Sequence, residues 1–176
     1  EGLEKIPVVG PSSENDYIDI PLTGRLRSSD RMKMQQILFK GINAADLLED
    51  VLRRFRPYAE DKPAMDALKN ARLEELGRIV SDGADVGRLQ AWGRETVELF
   101  QSAKVRYHER FPLVLYIGEI YMRQHDPYTD FVIHKLEENR LEVVRDPITD
   151  WLFYVNRMTL RNAKRDVGLG WSDRDF

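Results

Sequence analysis

Apolar residues recur at steps of three and four along Ile37, Leu38, Ile42, Ala45, Leu48, Leu52 and Phe55, the period of one helix face. Pro57 lacks the amide hydrogen that a further turn needs and ends the stripe, and Gly41 inside it marks a point where it could divide into two helices. The stripe opens a helical region from Asp30 to about His108. A second helix is expected from Pro63 to Val80 with Met65, Leu68, Leu76 and Val80 inward, stopping before the turn sequence SDGAD. A third is expected from Asp85 to about Tyr107 on Val86, Leu89, Val97, Phe100 and Ala103. After Pro112 the period changes. Leu113-Val-Leu-Tyr-Ile117 is a continuous apolar run of strand length, of the kind found in parallel strands covered on both faces. Leu141 to Val144 reads as a second strand and Tyr17 to Ile20 as a third, while the glycine-bearing, polar tail DVGLGWSDRDF reads as leaving the fold.

Two nearly identical hexapeptides, DPYTDF from Asp126 and DPITDW from Asp146, each follow a strand-like run or the turn after one. In each, Asp suits an N-cap, Pro suits the first helical position because no amide hydrogen is needed there, and the second Asp favours the positive helix end. The stripes that follow, Tyr128, Phe131, Val132 and Leu136, then Ile148, Trp151, Leu152, Val155 and Met158, are helical. Two readings stand. One is helix-start grammar written twice; the other is a ligand site, since helix starts at the carboxyl ends of parallel strands attract anions. Asp130 and Asp150 already place negative charge there, against Arg123 and Arg145.

Composition narrows the function classes. With 30 acids against 27 bases and a net charge of -3, no basic tract marks a nucleic-acid binder. The chain has no cysteine, which removes disulfides, thiolate metal sites, iron–sulfur ligation and cysteine nucleophiles from this polypeptide. His125 and His134 stand nine residues apart without ligand spacing, and His108 reads as a solvated helix-end residue, so no metal is expected. No apolar run is long enough to span a membrane, and the expected location is cytoplasmic. The first residue is Glu1 rather than Met, which reads as a domain excised from a larger protein or as tag removal.

The segment GEIYMRQHDPYTDFVIHKLEENRLEVVRDPITDWLFYVN, Gly118 to Asn156, resembles the C-terminal α/β part of the activase-related proteins of the 2-hydroxyacyl-CoA dehydratase superfamily, also described as CoA-substrate-specific enzyme activases. Upstream, GINAADLLEDVLRRFRPY, Gly41 to Tyr58, is similar to that family's Gly-Ile-x-Ala-x-Asp-Leu-Leu and Arg-Pro-Tyr stretches. Asn is common in the family where Thr129 stands, and Glu where Ala59 stands. The resemblance implies a parent in which an ATP-driven activator delivers an electron to an enzyme acting on CoA thioesters. Its iron–sulfur cluster and ATP site belong to other parts of such proteins, so no cofactor is expected in this chain and it is not catalytically complete alone.

The expected fold is α/β and helix-rich, with a small, mostly parallel, three-layer Rossmann-like sheet and a helical region before a C-terminal β-α-β-α unit. Residues 1–110 would hold the N-terminal strand and helices, 111–166 the β-α-β-α unit and 167–176 the tail. No catalytic residue is assigned. Substrate-binding or interface candidates are Gly118, Glu119, Tyr121, Arg123 and Asp46. Gly118 would allow a close backbone approach, Glu119 lies past the end of an apolar strand, and Tyr121 with Arg123 would supply an aromatic wall and a cation for a CoA phosphate or a carboxylate. Equally, Glu119 would pair with Arg123 or cap a helix, Tyr121 would pack on a partner domain, and Asp46 would cap or pair. Two functions follow: a domain of an acyl-CoA dehydratase or activase-like protein that contributes a cleft wall or a docking surface for the electron-transfer partner, or a non-catalytic scaffold. The implied partners are other domains of the parent, a CoA thioester and a second copy of the chain.

Overall fold

The computed structural model describes residues 28–166, so the expected strand Tyr17–Ile20 and the tail with Trp171 lie outside the described residues. The chain divides into compact units Glu1–Leu38 and Phe39–Phe176, and the second holds every element after α1. The elements are α1 (Ser28–Phe55, which begins in the first unit), a 3₁₀ turn at Arg56–Tyr58, α2 (Lys62–Ser81), α3 (Val86–Gln101), β1 (Leu113–Tyr116), α4 (Ile120–Gln124), a second 3₁₀ turn at Asp126–Thr129, α5 (Val132–Glu138), β2 (Glu142–Arg145) and α6 (Ile148–Asp166).

The chain is helix-rich and α/β in character. α1 runs through Gly41 without dividing, and an added Cβ there would meet Val80 Cγ2 at 3.1 Å, so the glycine admits close packing against α2. Asp61 caps α2 by accepting from the Ala64 amide at 2.9 Å, and Asp85 caps α3 by accepting from the Arg88 amide at 2.9 Å. α3 stops at Gln101, short of the expected Tyr107, because the chain turns to bring Val105 into an antiparallel bridge with Ala59. The apolar core joins Ala44, Leu48, Val51 and Leu52 of α1 to Met65, Leu76 and Ile79 of α2 and to Trp92 and Phe100 of α3. Each such large side chain contributes about 1.5–3 kcal/mol on burial. Val86, expected inward, is half exposed, whereas Trp92 is buried and donates from Nε1 to the Arg72 carbonyl at 3.2 Å. Arg72 in turn donates to Thr96 Oγ1 at 3.0 Å and to the Trp92 carbonyl at 2.9 Å, so α2 and α3 are clasped by paired polar groups inside the apolar core.

β1 and β2 pair in parallel, Leu113 opposite Glu142 through Tyr116 opposite Arg145. The expectation of a strand covered on both faces fails: Leu113, Leu115 and Ile117 are 67%, 61% and 65% exposed. Alternation explains this, because those three side chains share one face and, among the described residues, no element packs over it.

The first hexapeptide is also not an uninterrupted helix start. Asp126–Thr129 forms a 3₁₀ turn after His125, and no side chain caps it. The Phe131 amide then donates back to the Asp126 carbonyl at 2.9 Å, and Asp130 and Phe131 both adopt the left-handed conformation before α5 begins. Such residues carry a cost of roughly 1–2 kcal/mol each. Tyr128 and Phe131, expected along an inward stripe, are exposed as a result.

Candidate functional site

α1 reaches the β-α-β-α unit through carboxylates and arginines. Asp46 accepts from the Ile148 amide at 3.1 Å, the Thr149 amide at 2.9 Å and Thr149 Oγ1 at 2.8 Å. α6 is therefore capped from α1 rather than by its own Asp146. Asp146 instead pairs with Arg123 at 2.9 Å, and its carbonyl accepts from Arg123 Nη1 at 3.2 Å. The Arg123 carbonyl accepts from Arg145 Nη1 at 3.0 Å, and Arg145 reaches on to Glu49 of α1 at 3.4 Å. Glu49 also receives Arg53 at 3.1 Å and Lys69 of α2 at 2.9 Å.

A second seam lies at the end of α1. The Arg56 guanidinium forks onto Asp66 of α2 at 2.8 and 3.1 Å and also bonds Glu137 of α5. This is the planar, two-sided pairing to which arginine is suited. Tyr58 donates to Glu142 of β2 at 2.6 Å and accepts from the Phe111 amide at 3.0 Å, while its ring stacks on Phe111 at 4.6 Å.

These surroundings set the charges. Burial pushes the Glu49 carboxyl up, but Arg53, Lys69 and Arg145 together hold it below its ordinary value. Glu137 is held above its ordinary value because burial outweighs Arg56, Lys62 and His134. Arg145 is lowered by burial and by its neighbour Arg53, and Asp50 is raised by burial, with Asp46 adding to the rise.

The predicted residues separate by use. Gly118 has φ +154° with open space around it, so the backbone conformation calls for glycine there. Glu119 is exposed and caps α4, accepting from the Met122 amide at 2.8 Å. The Met122 and Tyr121 amides hold its carboxyl below the ordinary value, ahead of the Arg123 charge. Arg123 is buried against Asp146 and supplies no open cation beside Tyr121. Tyr121 is exposed and stacks with His125 at 5.7 Å, and Tyr128 meets both rings edge-on at 5.5 and 4.8 Å. Asp46 lies with Thr149, not with this aromatic trio.

Sequence reasoning missed Glu49 and Glu142 and the pairing roles of Glu137 and Arg145, whose partners lie far along the chain. Arg56 and Tyr58 carried a signal, since both stand in the Arg-Pro-Tyr stretch. Among the described residues no group of three or more His, Asp or Glu is placed to hold a metal ion, and no helix is long and apolar enough to cross a membrane. A groove of about 900 Å³ runs between α1 and α3, floored by Leu47, Leu89 and Val97 and largely apolar. Comparison with protein-family models, with curated proteins and with solved structures finds no match.

Proposed function

We propose that this chain is a non-catalytic interaction domain of a cytoplasmic acyl-CoA dehydratase or activase-like protein, which joins its neighbours through the unpaired β1 edge of its sheet and the apolar face beside it. The two parallel strands are, in this reading, part of a larger three-layer Rossmann-like sheet completed by partners. One observation carries it: Asp46, Arg123, Arg56 and Tyr58, which stand in the family-like stretches, are engaged in internal bonds, while Leu113, Leu115 and Ile117 face outward. A buried cation already paired with a carboxylate has little left to offer a phosphate, whereas an exposed apolar row on a sheet face beside an unpaired strand edge favours association. The cleft-wall reading retains one specific support, the exposed Tyr121 and Tyr128 rings around His125 just past the end of β1.

Titration of the isotope-labelled chain with coenzyme A and a short acyl-CoA separates the two. The interaction reading expects amide shifts no larger than those given by a simple salt. Saturable shifts clustered on Gly118–Tyr128 would overturn it in favour of a substrate wall.

A further inference from the structure

The unpaired side of β1 is laid out for a second copy of itself. The Glu142 amide donates to the Pro112 carbonyl at 3.0 Å, so the backbone groups of Pro112, Val114 and Tyr116 face β2. Those of Leu113 and Leu115 then face away from it, and among the described residues no strand takes them up. Natural edges are usually guarded by a charge, a bulge or a proline within the strand. β1 is short, at four residues, which itself limits an edge, but it has none of these three: Phe111–Gly118 carries no charge, and its one proline, Pro112, precedes the strand with its carbonyl already directed at β2. Charge sits only at the two flanks. Arg110 stands before the strand, its side chain 79% exposed and 3.5 Å from Glu142 of its own chain, and Glu119 stands after it, exposed while one carboxylate oxygen caps α4.

A basic flank, a neutral apolar strand and an acidic flank make a self-complementary segment in one orientation only. We infer that two copies of this chain associate through antiparallel pairing of their β1 edges about a twofold axis, giving a four-stranded sheet with a continuous leucine-rich face. Opposing the outward amides places the axis at Val114 or at Leu115. In the first register Arg110 lies opposite Gly118 of the other copy, and in the second opposite Ile120, so in both it is one residue from that copy's Glu119. Parallel pairing in register would set Arg110 beside Arg110 and Glu119 beside Glu119. A twofold interface of this kind uses the same patch on both copies. The inference rests on the interaction reading, for which it names the partner.

Sedimentation of the full chain across a wide concentration range tests it. The expected result is a shift from one to two copies as concentration rises, weakened by added salt. Leu115→Lys, at an exposed position, should remain a single copy throughout while keeping its helical circular dichroism. Arg110→Ala should raise the dissociation constant several-fold. A single copy at every concentration overturns the pairing, as does a dimer that Leu115→Lys leaves intact. Dimerisation lost in Leu115→Lys, in a chain that also gives saturable coenzyme A shifts, would support the pairing and overturn the interaction reading.

Discussion

The junction between α1 and the β-α-β-α unit and the outer edge of β1 contrast in what holds them. On the side of α1, the contacts are buried charges and hydrogen bonds: Arg56 with Asp66 and Glu137, Tyr58 with Glu142, Arg145 with Glu49, and Asp46 with the start of α6. The outer edge of β1 has no strand beside it among the described residues, and the sheet face next to it carries a row of exposed aliphatic side chains between two charged flanks. The difference teaches how this chain separates architecture from contact. Directional polar bonds tie these elements together, because a buried charge stripped of its partner is costly. A bare apolar edge fixes nothing internally and is available to another chain.

The contrast breaks most severely at Arg56. Arg56→Ala leaves Glu137 buried without its guanidinium and should lower unfolding free energy by about 3–5 kcal/mol in urea denaturation. Arg56→Lys should recover only part of that, since an ammonium cannot fork onto two carboxylates. If Arg56→Ala melts like the parent, the polar seam is not what holds the unit.

A smaller loss is expected at Asp46. Asp46→Ala frees the Ile148 and Thr149 amides and should cost about 1–2 kcal/mol, with faster amide exchange confined to the first turn of α6. Exchange that quickens equally across the chain would show that Asp46 supports more than this one helix start.

The pH response sharpens the contrast with the least expected change. Glu49 titrates below its ordinary 4.5, so its contribution is complete above that value and is lost as pH falls through its folded value. Glu137 titrates above its ordinary 4.5, so the folded state is favoured by its protonated form and loses that contribution as pH rises through the raised value. Glu49→Gln should therefore flatten the acid-side fall in stability, and Glu137→Gln should flatten a fall at higher pH, both read from denaturation series. The same slope in Glu49→Gln as in the parent would place the acid sensitivity elsewhere.

Local grammar was legible in the sequence, and long-range grammar was not. Pro57 ended α1, Asp85 began α3, and Met65 and Leu76 faced inward, because each follows from neighbours within one or two turns. The second hexapeptide does precede a long helix, but the carboxylate that caps it lies 102 residues upstream of Ile148. Tyr58 and Glu142 are 84 residues apart, and neither carries a mark that pairs it with the other. The first hexapeptide has the same letters as the second at four of six positions, yet the left-handed turn at Asp130 and Phe131 diverts it. Capping rules describe a helix that starts cleanly; they do not say when tertiary packing interrupts one.

One edge of β1 is held inside the chain and the other is offered to a second copy. Residue-resolved hydrogen exchange at low and high protein concentration reads both edges at once. The amides of Val114 and Tyr116 should exchange slowly at every concentration, while those of Leu113 and Leu115 should exchange fast when dilute and slowly when concentrated. Leu113 and Leu115 amides that are protected in the dilute chain, or that stay fast at every concentration, would contradict that division.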